Sequence, residues 1–207
     1  MKIIDISQVI HPEMNIYPGD PHYHSHLVSS FKRGDICEVS ELTIGSHCGT
    51  HIDAPRHMIP GGDTLESIPL ECFIGSCRVI DVHASIINEK LLAEQNIQRG
   101  ERILFRTDPE CRYQDSRDLS SVVLSMRAAQ YLVNCGVLLV GIDSPTIENM
   151  EVCDGEVHRT LLHGGVAILE GLCLKNAKPG TYNISALPLK LCGENGSPCR
   201  AVLIADD

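Results

Sequence analysis

The hydrophobic pattern divides the chain into three stretches. In the first, short alternating runs are separated by turn residues. "KIIDISQVI" predicts a strand, and "HPEMNIYPGDP", with two prolines and a Gly-Asp pair, predicts a loop. "ICEVSELTIG" alternates and is rich in β-formers, so it predicts another strand. The middle stretch changes period. "CRVIDV" predicts a strand and "NEKLLAEQNIQRG" a helix ending at Gly100. "ERILFRT" follows as a strand. "SMRAAQYLVNCG" then predicts a helix with Ser125 as N-cap and Gly136 just past its end. "VLLVGID" and "VAILEGL" are apolar runs of the kind buried in a central sheet, and "VHRTLLHGG" between them is a short helix stopped by glycines. The last stretch, "TYNISALPLKL" and "CRAVLIADD", returns to strands. Alternating α and β elements between β-rich ends predict an α/β fold. We read it as a single domain over residues 1–207, with a mixed sheet. There is no linker, low-complexity tract or internal repeat.

Composition narrows the class. Of 207 residues, 43% are apolar, enough for a sizeable core. No window reaches the ~18 uninterrupted apolar residues of a membrane span. The N-terminal stretch carries Asp5 and lacks a signal peptide's layout. The expectation is a soluble, unexported, cytoplasmic protein without a membrane partner. A net charge of −10, with no basic run, disfavours a nucleic-acid partner. The chain has 10 cysteines but no CxxC pair, so no zinc ribbon or thioredoxin-like motif is indicated. Most are expected to be free thiols in a reducing cytosol, with Cys135 and Cys173 acting as small buried hydrophobes.

The chemistry concentrates in "HCGTHIDAPRH", residues 47–57. His47, His51, Asp53 and His57 are spaced x3, x and x3. Gly49 and Pro55 argue against a continuous helix. A straight strand would hold His47 and His57 ~33 Å apart at ~3.3 Å per residue. If these side chains meet at one ion, the chain must fold back, and Gly45, Gly49 and Pro55 permit the bends. The motif then reads as a loop wrapped around a metal.

Glu170 is a second indication. It sits within "VAILEGLCL", where an unpaired ionised carboxylate is costly. A short helix beginning near His158, a Gly-Gly turn and a returning strand could bring His158 and Glu170 to one end of the sheet. The triplet in "HYHSH" (His22, His24, His26) reads instead as an exposed edge strand. His163 reads as a residue at a helix end. Asp143, in "VGIDSP", lies at the carboxyl end of a predicted strand. It could orient a metal ligand or a loop, or simply be a turn aspartate before Ser144 and Pro145.

These residues resemble the cyclase-like metal-dependent hydrolases, a family that includes bacterial kynurenine formamidases. "HCGTHIDAPRH" fits the family signature H-x-G-T-H-x-D-x-P-x-H in full. "YPGD", "ILFRT", "VGIDSP", "HRTLLHGGVAILEGL" and "LPLKLCGENGSPCRAVL" look like family segments in family order. The resemblance implies a twisted mixed β-sheet packed with helices (a cyclase-like swivelling β/β/α fold) in a homodimer or homotetramer. It implies a divalent metal, zinc or manganese, at one or two ions per subunit. His47, His51 and Asp53 would ligate one ion, Asp53 would bridge, and His158 and Glu170 would complete a second site. His57 would be the catalytic acid/base.

The resemblance further implies an amide hydrolase with a small-molecule substrate, an arylformamidase acting on N-formyl-kynurenine in tryptophan catabolism. The chain departs from the formamidases at Tyr17, where they commonly carry tryptophan; a tyrosine can still stack on an aromatic substrate. Cys48 places a soft sulfur inside the signature. Alternatives are a hydrolase of another amide or a lactam such as isatin, and a non-catalytic, metal-stabilised binding module whose ion would be coordinatively closed.

Overall fold

The computed structural model describes residues 1–112, 121–149, 152 and 154–205. Cys153 and the last two residues of "CRAVLIADD" lie outside the described residues. In chain order, the first strands are β1 (Lys2–Asp5), β2 (His24–Ser29), β3 (Val39–Thr43) and β4 (His51–Asp53). The middle of the chain forms β5 (Ile74–Asp81), β6 (Ile86–Ile87), β7 (Arg102–Arg106), β8 (Val123–Leu124), β9 (Leu139–Ile142) and β10 (Ala167–Glu170). β11 (Gly180–Ser185), β12 (Gly196–Pro198) and β13 (Val202–Ala205) follow. The helices are α1 (Glu89–Ala93), α2 (Met126–Cys135) and α3 (Glu156–His163).

Nine strands form one mixed sheet in the order β1-β13-β11-β5-β7-β9-β10-β4-β12. The parallel centre, β5-β7-β9-β10, contains the apolar runs seen in the sequence. β9 and β10 are buried at every position, as expected for strands covered on both faces. The expected mixed α/β architecture is therefore present.

The two faces carry separate cores. Ile103, Phe105, Val140, Ile142 and Ile168 pack under α2 and α3 with Leu132, Val157 and Leu161. On the other face, Leu104, Leu139 and Leu169 join Ile4 of β1, Ile52 of β4 and Leu203 of β13. Residues from opposite ends of the strand order share that core because the sheet curls. The closure is direct: the Cys173 backbone amide, just beyond β10, donates to the Ile6 carbonyl, just beyond β1, at 2.8 Å. Burial of apolar side chains on both faces, at about 1.5–3 kcal/mol each, supplies the main stabilisation.

Local signals were read well in some places. Ser125 accepts the Ala128 amide, and Gly136 ends α2 in the left-handed region at φ 71°. The helix expected up to Gly100 is shorter. It stops at Ala93, and Asn96 turns to φ 50°, so the polar segment after it runs as turns. The β2–β3 hairpin forms a separate two-stranded sheet that is exposed over most of its length, as "HYHSH" suggested. Cys173 is corrected: it is not a plain buried hydrophobe but is disulfide-bonded to Cys111. Its apolar neighbours gave no sign of a partner 62 residues away. Seven other described cysteines are free thiols. No helix among the described residues is long and apolar enough to cross a membrane.

Candidate metal centre

The signature is only partly a loop. Its middle, His51–Asp53, is β4, held between β10 and β12. His51 pairs with Glu170 and Pro198, and Asp53 with Ile168 and Gly196. Strand alternation puts His51 and Asp53 on one face while fully buried Ile52 enters the core on the other. Glu170, directly opposite His51, shares the His51 face.

The chain folds back at both ends of this strand. Before it, Gly49 takes φ +65°; after it, Pro55–His57 form a 3₁₀ turn. The turns bring the His47 and His57 rings to a centroid distance of 3.9 Å. Gly171 is needed for the same assembly. At φ +63°, a Cβ there would lie 2.3 Å from the Gly49 carbonyl oxygen. The Thr50 hydroxyl donates to the Gly171 carbonyl at 2.6 Å and ties the segments carrying His51 and Glu170 together.

Each of three histidines uses one ring nitrogen on a protein acceptor and turns the other toward carboxylates. His51 Nδ1 donates to the Gly49 carbonyl at 2.9 Å, leaving Nε2 3.4 Å from Asp53 Oδ1 and 3.5 Å from Glu170 Oε2. His158 Nδ1 donates to Glu148 Oε2 at 2.6 Å, leaving Nε2 3.1 Å from Glu170 Oε1 and 3.8 Å from Asp53 Oδ2. His47 Nε2 donates to Asn195 Oδ1 at 2.9 Å, leaving Nδ1 2.8 Å from Asp53 Oδ1. This is how metal-ligating imidazoles are oriented. Asp53 Oδ2 is buried and has no hydrogen-bond partner among the described residues, so a cation would satisfy it.

Potential ligand atoms of His47, Asp53 and His57 lie within 4.8 Å of one another, as do those of His51, Asp53 and Glu170. Asp53 belongs to both groups. His57 thus lies within reach of an ion that the resemblance gives to His47 and Asp53. His158 joins the cluster through Glu170.

Burial and charge oppose one another across the cluster. Burial would lower the His51 pKa, but its interactions with the Asp53 and Glu170 carboxylates, which accept from the ring, win and raise it to about 10. Burial likewise opposes His158, and Glu148 and Glu170 raise it to about 10. Desolvation pushes the Asp53 carboxyl up, yet His47 and His51 hold it well below the usual carboxylate range. Burial and the Asp53 charge raise Glu170, but His158 and His51 bring it below its ordinary value. A divalent cation at these nitrogens would compete with protons for them. His57 differs: burial lowers its pKa and favours the neutral base.

Other residues named from the sequence fall elsewhere. Asp143 accepts the Thr107 amide and hydroxyl and the Asp108 amide, fixing the loop after β7. Burial raises its pKa. Cys48 is buried, and its thiol donates to Met14 sulfur at 3.4 Å rather than to the carboxylates. Tyr17 is exposed in the turn closed by its carbonyl and the Asp20 amide. His26 lies 3.5 Å from Glu41 on the hairpin.

Two site residues were missed. Glu148 stands in the acidic stretch "ENMEVCDGE"; its signal is the apolar Ile147 before it and the histidine 10 residues on. Asn195, in "CGENGSP", is 148 residues from the histidine it orients, and no local pattern marks it.

Residues 4–149 match the family described as putative cyclase. The chain is 33% identical over 206 residues to the kynurenine formamidase of Salinibacter ruber, covering 98% of this chain and 97% of that one. It resembles the solved structure of a "potential metal-dependent hydrolase with cyclase activity", with TM-score 0.85 and 34% identity over 98% and 96% of the two chains. Isatin hydrolase A of Labrenzia aggregata shares the fold, with TM-score 0.85 at 22% identity over 99% and 94%. The histidine signature, the curled mixed sheet that converges it, and these matches together place the chain in the putative cyclase family of metal-dependent hydrolases.

Proposed function

We propose that this protein is a metal-dependent arylformamidase that hydrolyses N-formyl-kynurenine to kynurenine and formate in tryptophan catabolism. The observation that carries the reading is the convergence of His47, His51, Asp53, His158 and Glu170, with one buried carboxylate oxygen unpartnered. The full-length similarity to a kynurenine formamidase names the substrate class. We read His47, His51 and Asp53 as the residues that would hold one ion, and His158 and Glu170, with Asp53 common to both groups, as those that would hold a second. Imidazole and carboxylate donors suit zinc or manganese, at one or two ions per subunit. Three buried carboxylates, Asp53, Glu148 and Glu170, favour the higher count, because a single divalent charge leaves them in excess.

A divalent cation held there supplies Lewis acidity, acidifying water and withdrawing electron density from a carbonyl oxygen. His57, neutral beside the cluster, accepts the proton of the attacking water and returns it to the nitrogen as the C–N bond breaks. Water's oxygen ends on formate and its protons on the products. Asn195 and Gly49 keep the His47 and His51 rings aimed while charge develops. The aryl amine leaves readily, and the formyl carbon is unhindered. We keep Tyr17 as the proposed contact for the aryl ring and read Asp143 as holding the loop after β7.

The exposed hairpin supports self-association. Leu27, Val28, Phe31, Ile36, Val39 and Leu42 are all exposed there, a concentration that isolated domains rarely present to water. We place a homodimer or homotetramer contact on it and treat residues 1–207 as one domain. The seven free thiols suit a reducing compartment such as the cytoplasm, where the Cys111–Cys173 disulfide would be an exception.

The test is metal analysis of protein purified without added metal, paired with turnover of N-formyl-kynurenine with and without chelator. Chelator-sensitive formate release is expected. Turnover indifferent to chelator removes the metal role, and ring opening of isatin without deformylation reassigns the substrate to a cyclic amide.

A further inference from the structure

We propose that Glu148 is a positioning residue that fixes the tautomer of His158 and so governs the affinity of the ion held by His158 and Glu170. This rests on the metal reading above. Glu148 is fully buried, as are its neighbour Ile147 and Val157 in the first turn of α3. An ionised carboxylate in such a place needs specific partners. Oε2 accepts two bonds from one residue, the His158 backbone amide at 3.1 Å and the His158 ring Nδ1 at 2.6 Å, and the Val157 amide also favours the charged carboxylate. Oε1 has no hydrogen-bond partner among the described residues.

One bond is what a helix needs. Gly155, at the N-cap of α3, offers no side-chain acceptor, so Glu148 serves an amide of the first turn. The other bond is not required by the helix. A carboxylate only accepts, so it obliges Nδ1 to carry the hydrogen and leaves Nε2 as the ligating atom. Nε2 then faces Glu170 Oε1 at 3.1 Å. The neighbouring residue completes the arrangement: the Ile147 amide donates to that same Oε1 at 2.6 Å. Two consecutive residues therefore aim both members of the pair, one through its backbone and the other through its side chain. The Ile147 carbonyl is held in turn by the Leu124 amide at 2.8 Å, which fixes the dipeptide to β8.

Glutamine at 148 keeps an acceptor for the helix amide but loses the charge and can present a donor to the ring. Zinc binding to the full-length wild type, Glu148→Gln and Glu170→Gln is titrated by competition with a chromophoric chelator. Thermal melting of each metal-free protein checks the fold. Glu148→Gln should weaken by about 10–100-fold the same class of zinc site that Glu170→Gln weakens, with the remaining class little changed; its metal-free melting temperature should fall, because the buried Glu148–His158 pair is broken, while a single cooperative melt shows that the fold is kept. Nitrogen NMR of zinc-loaded wild type provides a readout without mutation: His158 should carry its hydrogen on Nδ1 and zinc on Nε2. Wild-type affinity in Glu148→Gln, or hydrogen on Nε2 of His158, overturns the proposal while leaving the metal centre intact. A wild-type chain that binds no zinc or manganese overturns both.

Discussion

His51 and Glu170 are direct cross-strand partners, and His51 Nε2 lies 3.5 Å from Glu170 Oε2. Strand pairing, rather than a flexible loop, thus brings a residue of the signature against a carboxylate more than a hundred positions away. Glu170→Gln keeps the side chain's size and removes its charge. Divalent-metal affinity should fall by more than about 10-fold, since even outer partners of a ligand commonly cost that much. Equilibrium dialysis followed by elemental analysis checks it; full occupancy at every site would remove Glu170 from the ligand set.

His57 sits beside the cluster, its ring centroid 3.9 Å from that of His47 and 6.0 Å from that of His158. His57→Ala should retain bound metal while kcat drops by about 10²–10⁴-fold, the usual contribution of a positioned acid/base. If the variant instead loses metal as completely as Asp53→Ala does, His57 is a ligand and the proton must be carried by another group.

Much of this was legible in the sequence because it is local. The apolar runs "VLLVGID" and "VAILEGL" name inner strands, Ser125 and Gly136 mark both ends of a helix, and Glu170 in an apolar run demands a partner. What was not legible depends on pairing across the chain. β12 contains Gly196 and Pro198, poor strand formers, and exists because β4 lies alongside it. The same pairing makes His51–Asp53 a strand where glycine and proline suggested only loop. Asn195 and Glu148 act through contacts that no periodicity encodes, and the disulfide joins two cysteines whose neighbourhoods look unrelated.

Gly171→Ala tests the close approach behind Glu170. The added Cβ meets the Gly49 carbonyl, and the left-handed backbone itself disfavours alanine by about 1–2 kcal/mol. Urea denaturation of the metal-free protein should show at least that loss, together with weaker metal binding because Glu170 and Gly49 are both displaced. Unaltered stability would mean that the two segments can separate at no cost.

Asp81 and Arg106 are register partners in β5 and β7 and form a two-bond ion pair, with Arg106 Nη2 2.7 Å from Asp81 Oδ2. The Arg106 bonds hold the Asp81 carboxyl below its usual value, against the effect of burial. A carboxylate depressed in the folded state stabilises fully above its unfolded pKa of about 3.9 and loses that contribution as pH falls through the folded value. The stability difference between wild type and Asp81→Asn should therefore be flat above about pH 5 and shrink from about pH 4 downward. Urea titrations across that range measure it, and a gap that stays constant to the acid end would show that the pair does not report on folding.

The β4–β10 alignment has a consequence for how the chain reaches its final form. Slipping β4 by a single residue would turn Ile52 toward the carboxylates and send both His51 and Asp53 into the apolar interior. A one-residue slip cannot offer the ion its donors, so an ion captured during folding would favour the observed alignment over its nearest rivals. It acts as an inspector of the assembled sheet before it takes any part in chemistry.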